Sequence, residues 1–130
     1  MTKQLKAFAG SIALAVLLSG AARAQGTTDA PPAELKLVDP QTVCMVNDHA
    51  MGKPQIPVVV DEKMYYGCCD MCKQRLAQDE AVRYAIDPVT GERVDKAKAV
   101  IAERADGSVL YFASAETLGR YGKTEEQKKQ

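Results

Sequence analysis

Four cysteines constrain this 130-residue chain more than any other feature. Three of them, Cys68, Cys69 and Cys72, fall within the short stretch YYGCCDMCK, and 23 residues separate Cys68 from the fourth, Cys44. Thiols gathered in this way can be bridged as disulfides, can act as a redox dithiol, or can bind a metal ion. A site that uses all of them requires a fold that brings Cys44 to the later cluster.

The first 24 residues have the pattern of a secretory signal peptide. Lys3 and Lys6 form a positively charged start, and residues 7–18 are an apolar run without charge. Small residues in the sequence Ala22-Arg23-Ala24 then stand where a signal peptidase reads them. The apolar run is shorter than the about 20 residues that a membrane span needs. We therefore expect cleavage after residue 24, a periplasmic protein and no stable membrane insertion after cleavage.

Beyond residue 24 the chain is small and slightly acidic, because the signal peptide removes three basic and no acidic residues from a balanced total. Such a chain can form one small domain or two very small units, and it offers no basic patch for nucleic acid. Residues 25–40 are polar with three prolines, which predicts a flexible leader that is ordered only near residues 35–37. Residues 123–130 are all polar and predict a flexible tail.

Between these ends, residues 41–84 predict a β-hairpin followed by a helix. Residues 55–60 are rich in β-branched side chains and predict the first strand, and residues 63–67 predict its partner. Asp70 is expected to cap a helix that runs to about Tyr84.

Residues 85–122 repeat the same order of elements. A turn, two strands and a helix are predicted at residues 87–91, 99–102, 109–112 and 115–121. We therefore predict an α+β fold made of two tandem copies, each a small treble-clef-like unit of a β-hairpin plus a helix.

The second copy lacks the cysteines of the first. Where the first copy has Cys44, Cys68 and Cys72, the second has Thr90, Ala113 and Thr117. Since a similar unit is expected to fold there without thiols, a chemical role explains the cysteines of the first copy better than a stabilising role alone. Hydroxyl groups are poor partners for soft metals, so the second copy is predicted to bind nothing.

The spacing of the thiols suits a metal ion. Cys68 and Cys72 are four residues apart, so both can lie on one face of a first helical turn, while Cys69 and Cys72 form a C-x-x-C pair. The partial positive charge of the helix N-terminus favours thiolate. Either pair could complete a site with Cys44, which would come from the loop before the hairpin.

This spacing resembles that of the TRASH domain, a domain named for the trafficking, resistance and sensing of heavy metals. Tyr65 and Tyr66, which precede the cluster, resemble the aromatic pair of the related YHS domain, and residues 85–121 look like a second YHS-type copy without its cysteines. The resemblance implies a treble-clef-like fold in which Cys44, Cys68 and Cys72 are metal ligands. Cys69 is an additional thiol beside that set.

Copper(I) is the ion that we expect, with zinc as the alternative. The four methionines of the mature chain stand near the cysteines in sequence, and thioether beside thiolate suits Cu(I). Tetrahedral zinc would need a fourth ligand, for which Cys69, the only histidine, His49, or a water molecule are candidates.

We therefore expect a periplasmic heavy-metal-binding protein that serves in metal capture, trafficking or resistance. It is not expected to be an enzyme, and another periplasmic metal-handling protein is a candidate partner. Two alternatives stay open. Four cysteines in an oxidising compartment could form two disulfides in an interaction module without metal. The Cys69–Cys72 pair could also serve a thiol–disulfide oxidoreductase, although the βαβ pattern of that fold is missing.

Overall fold

A computed structural model describes residues 35–128 of the chain. The predicted signal peptide and residues 25–34 of the predicted leader lie outside the described residues. The described part combines small antiparallel sheets with two α-helices, in agreement with the predicted α+β class. Its first strand, β1 (Lys36–Leu37), lies where the sequence predicts order within the leader. No helix between residues 35 and 128 is long and apolar enough to cross a membrane.

The first half of the fold consists of two antiparallel strand pairs and a helix. Strand β2 (Val43–Cys44) pairs with β3 (His49–Ala50), and β4 (Ile56–Val60) pairs with β5 (Lys63–Gly67). Helix α1 (Asp70–Gln78) follows directly. The predicted hairpin is confirmed, and its tight turn is closed by two residues with positive φ.

The second half follows the same order of elements. Strand β6 (Tyr84–Ile86) pairs with β7 (Arg93–Asp95), and β8 (Val100–Glu103) pairs with β9 (Val109–Phe112). Strand β1 extends this second hairpin to three strands by pairing with β8. Helix α2 (Ala115–Lys128) closes the fold.

Helix α2 is longer than the sequence predicts. It runs to Lys128, past the predicted end at Tyr121, and includes residues 123–128 of the predicted tail. Tyr121 itself packs edge-on against Phe112 of β9, with ring centroids 5.6 Å apart. This contact packs α2 against the second hairpin at the point where the sequence predicts that the helix ends.

Helix α1 is shorter than predicted, because Asp79 ends it. The backbone N–H of Asp79 closes the last turn on the carbonyl of Arg75, and its carboxylate then accepts the N–H of Ala81 to start a 3₁₀ turn, Glu80–Arg83. The prediction of a helix to Tyr84 is therefore wrong, since that residue begins β6. The N-cap of α1 is Cys69 instead of the predicted Asp70, which is the first helical residue.

Residues from both halves form one hydrophobic core. Its buried members are Val43, Met45, Val58, Tyr65, Leu76, Val94, Ile101, Val109 and Tyr111. Polar contacts also join the halves at Asp95, whose carboxylate accepts a hydrogen bond from the hydroxyl of Tyr65 at 2.9 Å and forms an ion pair with the ammonium of Lys63 at 2.7 Å. The shared core fixes β2 of the first half relative to the second hairpin.

Candidate metal centre

Three cysteine sulfurs converge where β2, the end of β5 and the start of α1 meet. The Sγ of Cys72 lies 3.9 Å from that of Cys44 and 3.6 Å from that of Cys68. All three sulfurs lie within 4.8 Å of one another, and every cysteine of the chain is a free thiol in this structure. The three cysteines are the ones that the sequence predicts as ligands.

These separations match the spacing that a bound metal requires. With metal–sulfur bonds of about 2.3 Å, two thiolates lie about 3.8 Å apart in a tetrahedral site and about 4.0 Å apart in a trigonal one. A disulfide would need about 2.05 Å between its sulfurs. The observed 3.6 and 3.9 Å are therefore close to the separations of thiolates that share an ion and far from that of a disulfide.

The cluster depends on close packing between the end of β5 and the first turn of α1. A Cβ on Gly67 would lie 3.0 Å from the Cβ of Cys72 and 3.2 Å from the backbone N of Lys73. Only glycine leaves room for this approach, which places Cys68 and Cys72 side by side. Strand β2 is held next to them by the N–H of Met45, which donates to the carbonyl of Tyr66 at 2.9 Å.

Backbone donors surround the sulfur of Cys44. Burial alone would raise the pKa of Cys44, but the backbone N–H groups of Asn47, Val46 and Cys68 hold that pKa below its ordinary value. Hydrogen bonds to the charged form favour the thiolate. The loop is therefore shaped to accept a negatively charged sulfur in a buried position.

The pKa values of the other two thiols are raised instead of lowered. Hydrogen bonding with Cys44 raises the pKa of Cys68, and burial together with the neighbouring thiols raises the pKa of Cys72 to about 12. Three thiolates this close repel one another unless a cation lies between them. Without a cation, at most part of the cluster is ionised at neutral pH, and a metal ion would displace the remaining protons.

Access to the cluster is from the side of Cys68. Cys44 and Cys72 are buried, whereas Cys68 is half-exposed and lines an open groove together with residues 51 and 53–57. The side-chain amide of Asn47 lies 3.6 Å from its sulfur, within donor distance. Met51 lines the same groove.

Cys69 and His49 are not members of the group of three converging sulfurs, although the Cys69 thiol lies within hydrogen-bonding reach of Cys72. Cys69 is exposed at the N-cap of α1, where the backbone N–H of Cys72 lowers its pKa. The ring of His49 instead lies against Gly107, in the turn between β8 and β9. The contact is so close that a Cβ added to Gly107 would lie 2.6 Å from the Cε1 of His49. Among residues 35–128, the metal-ligand group contains only the three cysteines.

The methionines are less closely gathered than their sequence positions suggest. Met45 is buried in the core, while Met64 and Met71 are exposed and do not line the groove beside Cys68. Met51 is exposed as well, and it is the one methionine of these four that lines the groove.

Sequence reasoning missed two residues that shape the site. Gly67 could have been noticed as a glycine directly before the cluster, at the strand-to-helix junction. Lys96 carried no such signal, since lysine is usually exposed, yet this side chain is buried and its ammonium donates to the carbonyl of Met45.

Comparisons with protein-family models, curated proteins and solved structures gave no match. The likeness to TRASH and YHS domains therefore remains an expectation from the cysteine spacing. The geometry of the three sulfurs is the feature that bears on function.

Proposed function

We propose that this chain is an exported heavy-metal-binding protein that holds one Cu(I) ion through Cys44, Cys68 and Cys72. The observation that carries the proposal is the convergence of three thiols from two distant chain segments at metal-bridging separations. The backbone donors around Cys44 support the same reading, because they favour the thiolate that a metal needs.

Copper(I) suits this set of ligands better than zinc. Three thiolates satisfy trigonal Cu(I), whereas zinc prefers four ligands in a tetrahedron. Cys69 and His49, which the sequence offered as fourth ligands, lie outside the cluster. A soft thioether from Met51 in the adjoining groove also favours a soft ion.

The role that we propose is capture and transfer, not catalysis. Cys44 and Cys72 are buried and retain the ion, while the half-exposed Cys68 faces the open groove. A partner's ligand could approach the ion there and replace one thiolate at a time. The partner that we propose is another periplasmic metal-handling protein.

A Cu(I) titration against a chelator of known affinity tests the proposal on protein purified anaerobically. The parent should bind one ion, and Cys44→Ser, Cys68→Ser and Cys72→Ser should each weaken binding by orders of magnitude. Cys69→Ser is the matched control and should bind nearly as the parent does. If Cys69→Ser loses the ion while Cys68→Ser keeps it, the C-x-x-C pair is the true site.

A thiol count and a parallel Zn²⁺ titration separate the alternatives. Four free thiols and preferential Cu(I) binding support the proposal. Two disulfides with no bound metal would favour the interaction module. Reversible cycling of the Cys69–Cys72 pair without metal binding would favour an oxidoreductase, and tighter binding of Zn²⁺ than of Cu(I) would replace copper by zinc.

A further inference from the structure

The loop that carries Cys44 is built onto the second half of the fold. We name residues 43–50 the Cys44 loop. The N–H of Ala50 donates to the carbonyl of Gly107 at 2.9 Å, and the N–H of Val109 donates to the carbonyl of Asp48 at 3.0 Å. An isolated β-bridge between His49 and Ser108 lies between these two bonds. The loop is thus attached to the turn of the second hairpin by its backbone.

A buried lysine of the second half fastens the same loop from inside. The side chain of Lys96 is 4% exposed. Its ammonium donates to the carbonyl of Met45 at 2.7 Å and to the carboxylate of Asp48 at 2.6 Å, and it lies 5.0 Å from the ring centroid of Tyr111. A buried ammonium is tolerated only when it is paired, so these contacts define its position and that of the loop.

The second half has a buried carboxylate, that of Asp87, in the place where the first half has the three thiols. Asp87 is fully buried, and its Oδ1 accepts the N–H of Val89 at 2.8 Å and that of Thr90 at 3.3 Å. Its Oδ2 accepts the N–H of Ala113 at 2.8 Å. Although burial acts against it, these donors and the hydroxyl of Thr117 keep the pKa of Asp87 below its ordinary value.

The donors around Asp87 repeat those around Cys44. Each side chain accepts N–H groups from the residues two and three positions later, and from a residue directly after the following hairpin. That last residue is Cys68 in the first half and Ala113 in the second. The hydrogen bonds therefore favour Asp87, and not Thr90, as the counterpart of Cys44.

We infer that the second half is a metal-independent platform and that Lys96 is a positioning residue which holds the Cys44 loop ready for the ion. The inference rests on the proposed metal-binding function. In the second half, the hydrogen bonds of Asp87 join the β6–β7 turn to the residue after the second hairpin, so no ion is needed to hold these segments together. The platform thus keeps its shape in the metal-free protein, and the Cys44 sulfur stays near the other two thiols before the ion arrives.

Hydrogen exchange of the parent protein, with and without Cu(I), tests the platform directly. The amides of Ala50 and Val109 should be protected in the metal-free protein almost as well as in the loaded one. Fast exchange of both amides in the metal-free protein, with protection only after loading, would overturn the inference, because the ion would then order the loop.

Replacement of the lysine tests the positioning role. Lys96→Met keeps the apolar stem and removes the donor, and it should weaken Cu(I) binding by about 10- to 100-fold, as loss of a supporting residue around a metal site typically does. Lys98→Met, an exposed lysine two positions later, is the matched control and should bind as the parent does. In metal-free Lys96→Met, amides of residues 43–50 should lose protection while amides within α1 and α2 keep theirs.

The other outcomes of these experiments separate the positioning role of Lys96 from the proposed metal binding. Unchanged affinity in Lys96→Met, or a uniform loss of protection throughout that variant, would overturn the positioning role while metal binding by the parent stands. If the parent itself binds neither Cu(I) nor Zn²⁺, the proposed function fails instead. The exchange measurement on the parent still decides whether the loop is preformed.

Discussion

The sulfurs of Cys44 and Cys72 lie 3.9 Å apart, although 28 positions separate the two residues in the chain. One sulfur comes from a short strand before the hairpin and the other from the first turn of the helix after it. Both side chains are buried, so their distance is set by packing and not by the reach of flexible side chains. The site is consequently sensitive to any change at the junction of β2, β5 and α1.

Gly67→Ala should damage both the fold and the site. The added Cβ would lie 3.0 Å from the Cβ of Cys72 and 3.2 Å from backbone atoms of α1, which must then move away. We expect a loss of about 1–3 kcal/mol in the free energy of unfolding, typical of overpacking, measured by urea unfolding of the metal-free protein. Cu(I) affinity should fall as well.

Gly119→Ala is the matched control for that substitution. Nothing lies within 4 Å of a Cβ at this position inside α2, so alanine should raise stability by about 1 kcal/mol through helix propensity alone. Equal effects of the two alanines would contradict the role given to Gly67.

Metal binding should weaken steeply as the pH falls. Hydrogen bonding with Cys44 raises the pKa of Cys68, and burial raises that of Cys72 to about 12, so both keep their protons in the metal-free protein at neutral pH. Each of these protons must leave when the ion binds, so affinity should rise at least about 100-fold per pH unit near neutrality. Calorimetry in two buffers with different ionisation enthalpies should report the release of at least about two protons. An affinity that is independent of pH would contradict this account of the cluster.

The metal-free protein should lose stability in acid through Asp87. Burial acts against the charged form, but hydrogen bonds from Ala113 and its other donors keep the folded pKa of Asp87 below the unfolded value of about 3.9. The stabilisation is therefore complete above about pH 4 and is lost as the pH falls through the lower, folded pKa.

Urea unfolding at pH 7 and at about pH 3 measures this loss. Asp87→Asn should be less stable than the parent at pH 7 and should show a smaller change between the two pH values. A parallel decline of parent and variant would show that Asp87 is not responsible.

Cysteines placed at the counterpart positions should create a second metal site. With Asp87→Cys, Ala113→Cys and Thr117→Cys combined, equilibrium dialysis should find two Cu(I) ions per chain instead of one. The comparison variant carries Thr90→Cys in place of Asp87→Cys and should still bind one ion. If only the Thr90 variant gains an ion, the correspondence between Cys44 and Asp87 is incorrect.

Secretion should remove residues 1–24. The motivation is the Ala22-Arg23-Ala24 ending after an apolar run. Intact-mass analysis of the exported protein should give a chain that begins at Gln25. A mass that retains the signal, or that includes a lipid, would reject this expectation.

The local parts of the fold and site could be predicted because their signals are local. β-Branched residues predict β4, and the four-residue spacing of Cys68 and Cys72 predicts that their thiols lie together, although only Cys72 is in α1 and Cys68 precedes its N-cap. The end of α1 could not be predicted in the same way. Residues 80–84 are compatible with a helix, and the capping interactions of Asp79 decided against it.

The chain's sequence by itself determined which side chains could bind a soft metal, namely four thiols and one histidine, and left two cysteine pairs that could complete a site with Cys44. Only the tertiary structure decided that Cys69 and His49 are not among the three converging sulfurs, that Lys96 reaches the carbonyl of Met45 and that Asp87 accepts the N–H of Ala113. The physical reason is that a buried charge takes its position from partners far along the chain. Lys96 meets Met45 only after both halves have packed into one core, and Asp87 meets Ala113 only after the whole second half has folded.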